Sequence, residues 1–201
     1  SRNIKKALTV AEIAKIFNYE AELKSTKDMA KDYWIFLYLC NGMNVKDFCL
    51  LKWKDIEANT LYYKRSKTER SKSETKLITV ALKPETIAII KKWGRPSLIK
   101  DAYIFPHLQT GIGAENERKI YQQLTKTINK YIKRIGIEVG IKHNITSYFA
   151  RHSFATVLKR AGTNVSMIQN LLGHSSTKVT ESYLDGFENE QIQKETDVLL
   201  T

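Results

Sequence analysis

The sequence predicts a mainly α-helical domain carrying one small antiparallel β-sheet, an α+β fold. Three observations predict it. Most of the chain places apolar residues at helical spacing, in segments bounded by cap and stop residues. Only residues 60–67 change to period two, and a second strand-like run, 77–82, follows a polar loop. The length of 201 residues, 42% hydrophobic, suits one domain with a substantial core, so 1–201 is read as a single unit.

Residues 1–8 are basic and read as a linker. Thr9-Val10-Ala11-Glu12 is a capping-box pattern and opens a helix through about Tyr19. Ser25-Thr26-Lys27-Asp28 opens a second, aromatic-rich helix that stops at Asn41-Gly42. A short third helix covers 45–51, with Phe48, Leu50 and Leu51 expected in the core. In the first strand Leu61, Tyr63, Arg65 and Lys67 share one side and Tyr62, Lys64 and Ser66 the other, so the hairpin is expected to carry a basic face. Pro84-Glu85-Thr86 starts the next helix, with proline at a tolerated first-turn position, and Gly94-Arg95-Pro96 ends it. Tyr103-Ile104-Phe105 is a short apolar segment, and a long helix follows over 114–135. A helix over 148–160, a break at Gly162 and a helix over 165–172 come next. Gly173 ends that helix, Ser176 caps another that carries Tyr183, and a tail helix is expected within 186–201.

The formal net charge of +12 and a pI near 9.6 point to a polyanion, most simply nucleic acid. Cys40 and Cys49 sit inside apolar helical patterns, which favours buried, reduced thiols in a cytoplasmic protein over a disulfide framework or a cysteine-rich metal site. The longest apolar run, 33–40, is far too short to span a membrane, and nothing at the start reads as a signal peptide.

Breaking a phosphodiester without a metal needs an in-line nucleophile, cations on the non-bridging oxygens, an acceptor for the nucleophile's proton and an acid for the leaving oxygen. No acidic cluster of magnesium-ligand character lies near the motifs, so no cofactor is assigned. Tyr183 is the candidate nucleophile; the bland alternative is a tyrosine that packs its ring and exposes its hydroxyl. Arg151, beside Phe154, Ala155 and Leu158, is a candidate phosphate clamp or else a partner in a buried salt bridge. His152 points about 100° away from it on the helix and reads as a packing residue. His174, at a helix end, can bind a phosphoryl oxygen, shuttle a proton or make a backbone hydrogen bond. Lys67, at the hairpin, is a candidate general acid or a solvated lysine.

Three segments then resemble one family: Arg151-His152-Ser153-Phe154-Ala155-Thr156, Leu172-Gly173-His174-Ser175, and Thr180 through Tyr183-Leu184. In this order and spacing they resemble the catalytic half of the tyrosine recombinases, the phage-integrase-like site-specific recombinases. Weaker support comes from Asn41-Gly42-Met43, from Leu51 through Ile56, and from Arg65-Ser66-Lys67-Thr68. The resemblance implies that family's catalytic-domain fold and a nicking and joining reaction. Tyr183 would attack DNA to give a 3′-phosphotyrosine, Arg151 would hold the scissile phosphate, Lys67 would be the general acid, and His174 would assist proton transfer or phosphate binding. It also implies double-stranded DNA as partner, a monomer that assembles as a homotetramer on DNA, strand exchange through a Holliday junction, and accessory DNA-bending proteins. The family's N-terminal core-binding domain has no counterpart in 1–201, so this half alone is expected to bind DNA weakly and with strong salt dependence. Phe187, Ile192, Val198 and Leu199 give the tail an apolar face suited to docking on a neighbouring protomer or on its own domain.

Two positions depart from the pattern. Asn44 stands where the family usually has its first catalytic arginine, and Tyr148 where it usually has a histidine. Arg65, two residues before Lys67 and on the same side of the strand, is the expected compensating arginine, with Lys46 as second choice. The pair of substitutions resembles integrases of Bacteroidetes mobile elements. A catalytically silent DNA-binding protein and a type IB topoisomerase-like relaxase remain as alternatives on the same fold.

Overall fold

The computed structural model describes residues 7–66 and 77–174. The loop expected over 68–75, the segment holding Tyr183, and the tail 186–201 lie outside the described residues, as does Lys67. Seven helices and three strands follow one another as α1 (Val10–Phe17), α2 (Thr26–Leu39), α3 (Val45–Leu50), β1 (Ile56–Glu57), β2 (Thr60–Lys64), β3 (Leu77–Ala81), α4 (Pro84–Trp93), α5 (Ala114–Glu138), α6 (Ser147–Arg160) and α7 (Val165–Leu172), with one 3-10 turn at Trp53–Asp55. The mainly helical domain with a small antiparallel sheet is therefore the observed architecture.

Local chemistry accounts for most boundaries. The Thr9 hydroxyl accepts from the Glu12 amide while the Glu12 carboxylate accepts from the Thr9 amide, the expected capping box. Ser25 caps α2 in the same manner through the Asp28 amide. Asn41 and Gly42 both take left-handed backbone, at φ 57° and 62°, and stop α2 before it reaches α3. The long helix α5 runs three residues beyond the expected Ile135, to Glu138.

Helix α2 is the packing centre. Tyr33, Trp34, Ile35, Phe36 and Leu37 are all buried, because α4, α5 and α6 pack around it. Its two buried acids are paired: Lys92 of α4 reaches Asp28 and Asp32 at 2.7 Å each, and the Trp93 indole donates to Asp32 at 2.8 Å. The Trp34 indole donates to the Thr146 carbonyl at 3.0 Å, which fixes the start of α6 against α2. Phe48 and Leu51 are core as expected, whereas Leu50 is only partly buried. Cys40 and Cys49 are buried free thiols; burial pushes both up, Cys49 to about 12, and keeps them protonated.

The sheet has the order β1-β2-β3, antiparallel throughout, with Tyr63 opposite Ile78 and Leu61 opposite Val80. Strand β1 has two residues, too short for any periodicity, and the sequence shows no sign of it. The inward side of β2 is the side of Leu61 and Tyr63, both buried, while Lys64 on the other side is exposed. Since Arg65 continues the inward side, the hairpin turns it towards the body of the domain. Lys64 is exposed while Arg65 is half-buried, which accords with the expectation of Arg65 as a residue of the site.

One buried group makes stability pH-dependent. Tyr33 Oη and His107 Nε2 lie 2.9 Å apart, and burial holds the His107 imidazole down at about 4, from an ordinary 6.5. The unfolded chain then binds the extra proton between these values, so stability rises with pH across that window and is lost as pH falls from about 6.5 to about 4. Urea unfolding at pH 7 and pH 4.5 should show a loss of about 2 kcal/mol attributable to this residue, absent in His107→Phe.

Candidate active site

Arg151 lies in the second turn of α6 and is only 4% exposed. Its Nη1 donates to the Gly42 carbonyl at 2.9 Å, and its Nη2 donates to the Leu172 carbonyl at 2.7 Å and to His174 Nε2 at 2.8 Å. The guanidinium thus ties the α2–α3 turn to the end of α7. The approach at Gly42 is close enough to require glycine: a Cβ there would sit 2.7 Å from Arg151 Cα, on backbone already at φ 62°.

His174 is buried, just past the left-handed C-cap Gly173, with its amide bonded to the Gln169 carbonyl at 3.1 Å. A guanidinium can only donate, so Nε2 is the acceptor. The neutral imidazole therefore carries its proton on Nδ1. On the other side of Gly173, a Cβ would meet Ile78 Cδ1 at 2.5 Å and Arg65 Cδ at 3.3 Å. The inward side of the hairpin is thus packed on the end of α7, where Arg65 lies against Gly173 and Arg151 bonds Leu172 and His174.

Asn44 has a structural task. It caps α3, with Oδ1 accepting from the Asp47 amide at 2.9 Å and Nδ2 donating to Asp47 Oδ2 at 2.6 Å. The other carboxylate oxygen of Asp47, a buried residue, accepts from the Ser66 amide at 3.0 Å. Asp47 therefore fastens the end of β2, beside Arg65, to the start of α3. The Asn44-Val45-Lys46-Asp47 stretch is a capping pattern of the same kind as that at Thr9, and it is the signal by which Asp47 could have been found. Lys46 is directed to α5, its Nζ 5.8 Å from the centre of the Tyr121 ring. Of the two candidate replacements, Arg65 is the one brought to Arg151.

Tyr148 stands one turn before Arg151 at the start of α6 and is 45% exposed. Its ring meets that of His152 edge-on, centroids 4.4 Å apart, which accords with a packing role for His152. Ser153, part of the same motif as Arg151, accepts from the buried Leu8 amide at 2.9 Å and so pins the entering chain to α6. The described residues thus bring together Arg151, His174 and Arg65, with Tyr148 at the rim. Tyr183 and Lys67 lie outside them.

Comparisons with known proteins show the family and the fold. The model of the phage integrase family matches residues 6–190. The tyrosine recombinase XerA of Pyrococcus furiosus is 30% identical over 184 residues, which cover 90% of this chain and 58% of that protein. A tyrosine recombinase of Pseudothermotoga lettingae is 27% identical over 192 residues, 94% of this chain and 59% of that one. The chain therefore spans somewhat over half the length of these curated relatives. Among solved structures, the Tn1549 transposon integrase in complex with transposon right end DNA superposes with a TM-score of 0.67 at 16% identity, covering all of this chain and 68% of that one. The XerH site-specific recombinase bound to palindromic difH substrate gives 0.65 at 18% identity, covering all of this chain and 55% of that one. At such identities the structural likeness speaks to the fold.

Proposed function

The chain belongs to the phage integrase family, and from that premise we propose that it is the strand-cleaving and rejoining part of a tyrosine-type site-specific DNA recombinase. The observation that carries this reading is the meeting of Arg151, His174 and Arg65 at the end of α7. Two guanidiniums and an imidazole gathered at one point are the equipment for a phosphate that gains charge in its transition state.

In this reading the Tyr183 hydroxyl attacks the scissile phosphorus, its proton passing to solvent water. A P–O bond forms to the tyrosine and the P–O5′ bond breaks, leaving a 3′-phosphotyrosine and a free 5′-hydroxyl. The number of phosphoester bonds is conserved, so attack by a 5′-hydroxyl reverses the step without ATP. Lys67 supplies the proton to the leaving oxygen. Arg151 and Arg65 hold the non-bridging oxygens. His174, its Nε2 accepting from Arg151, assists proton transfer or phosphate binding.

Double-stranded DNA as substrate is supported by the +12 charge and by the exposed stripe Lys119, Lys126, Lys130, Lys133 and Arg134 on α5. Assembly as a tetramer, with accessory DNA-bending proteins, is the corresponding partner proposal. The Asn44 and Tyr148 pair supports an origin in a Bacteroidetes-type mobile element, and a cytoplasmic location accords with the two buried thiols. Among the described residues no helix is long and apolar enough to cross a membrane.

The test is covalent trapping with the full-length protein on a nicked suicide substrate of its cognate site. An SDS-resistant protein–DNA adduct is expected, and Tyr183→Phe should lose it entirely. Binding without an adduct would instead make the chain a silent DNA-binding protein, and relaxation of supercoiled plasmid lacking the site would make it a relaxase.

A further inference from the structure

The hydroxyl of Tyr63 is a buried polar group near Arg151 that the reading above does not use. Tyr63 is 6% exposed, and its hydroxyl has no hydrogen-bond partner among the described residues. A buried phenol usually finds one, because leaving it dry costs free energy. Tyr63 is the inward residue of β2 next before Arg65, roughly 7 Å back along the strand. Its strand partner Ile78 is pressed, together with Arg65, against Gly173, which leads into His174. The hydroxyl feels both guanidiniums: Arg151 and Arg65 each favour ionisation, while burial and the Asp47 carboxylate oppose it and win, so the phenol stays protonated. It is a neutral O–H, a donor, held beside two cations and short of an acceptor.

We propose that the Tyr63 hydroxyl is a further donor to the scissile phosphate, beside Arg151 and Arg65. This rests on the recombinase reading above. A phosphate accepting at about 2.8 Å on two of its oxygens bridges side chains set a strand pleat apart, so one group can take Arg65 and Tyr63 together. The hydroxyl adds a hydrogen bond without adding charge, which suits a site whose first arginine has been replaced by a capping asparagine.

Tyr63→Phe in the full-length protein tests it, since only the oxygen is removed. Single-turnover adduct formation on the suicide substrate should slow about tenfold, with DNA affinity at fixed salt unchanged and the melting temperature unchanged or higher. A wild-type rate overturns the proposal. So does a rate loss accompanied by a lower melting temperature, because an unpartnered hydroxyl has no native bond to lose and a structural partner such as a buried water would then be its role. Should the wild-type protein form no adduct, the recombinase reading fails, and inorganic phosphate decides for Tyr63 alone. Phosphate should then raise the melting temperature of the wild type more than that of Tyr63→Phe, at matched ionic strength; equal or absent shifts overturn it.

Discussion

Replacing Arg65 with alanine is expected to abolish covalent adduct formation while leaving DNA binding and folding nearly intact. The family's usual first arginine is Asn44 here, an uncharged residue whose amide donates to Asp47 at 2.6 Å as part of the α3 cap. A second cation must come from elsewhere, and Arg65 lies on the inward side of the hairpin, its Cδ 3.3 Å from where a Cβ on Gly173 would stand. The end of its strand is held in place by the Asp47–Ser66 bond. Removing one charged donor from a developing oxyanion costs on the order of 10²–10³ in rate, about 3–4 kcal/mol of transition-state stabilisation. Most of the affinity for DNA comes from the many other cations of a +12 chain, so binding should change little. Single-turnover trapping beside a filter-binding or mobility-shift titration separates the two. Wild-type adduct yield in Arg65→Ala would remove Arg65 from the site. Arg65→Lys should recover only part of the rate, since an ammonium lacks the two-pronged guanidinium fork.

Much of this site could be read from the chain because it rests on local rules. Thr9, Ser25 and Gly173 punctuate their helices as their side chains, or the lack of one, dictate. The period-two pattern of 60–67 placed Tyr63 and Arg65 on one side before any contact was known. The same pattern could not tell which side faces the domain. That is decided by α7 packing on β3, a contact between segments some ninety residues apart in sequence. Strand β1 escaped notice because two residues carry no period, and Asn44 read as a vacancy because its role depends on Asp47 and, through it, on Ser66. What the sequence hid is therefore the set of bonds that cross between elements.

Arg151→Lys should be damaging in a different way, and the contrast with Arg65 tests whether the two arginines are built differently. The Arg151 guanidinium satisfies the Gly42 and Leu172 carbonyls and His174 Nε2 at once, all in a buried setting. A lysine ammonium is a single point at the end of a flexible stem and can serve at most part of that set. Each buried acceptor left without its donor costs about 1–3 kcal/mol. Stability should therefore fall by about 3 kcal/mol in urea unfolding, whereas Arg65→Ala leaves it unchanged. Adduct formation should drop at least about 100-fold, because the clamp loses its fork and His174 loses the donor that fixes its tautomer. The charge itself is retained, so a simple electrostatic role would predict near-normal activity in Arg151→Lys. A variant as stable and as active as the wild type would show that the phosphate needs only a positive charge at this position, and that the tie between the α2–α3 turn and α7 is incidental. Loss of both properties would place the burial of Arg151 within the mechanism: the residue that holds the domain's turn, helix end and histidine together is also the one that must not move when the phosphate arrives.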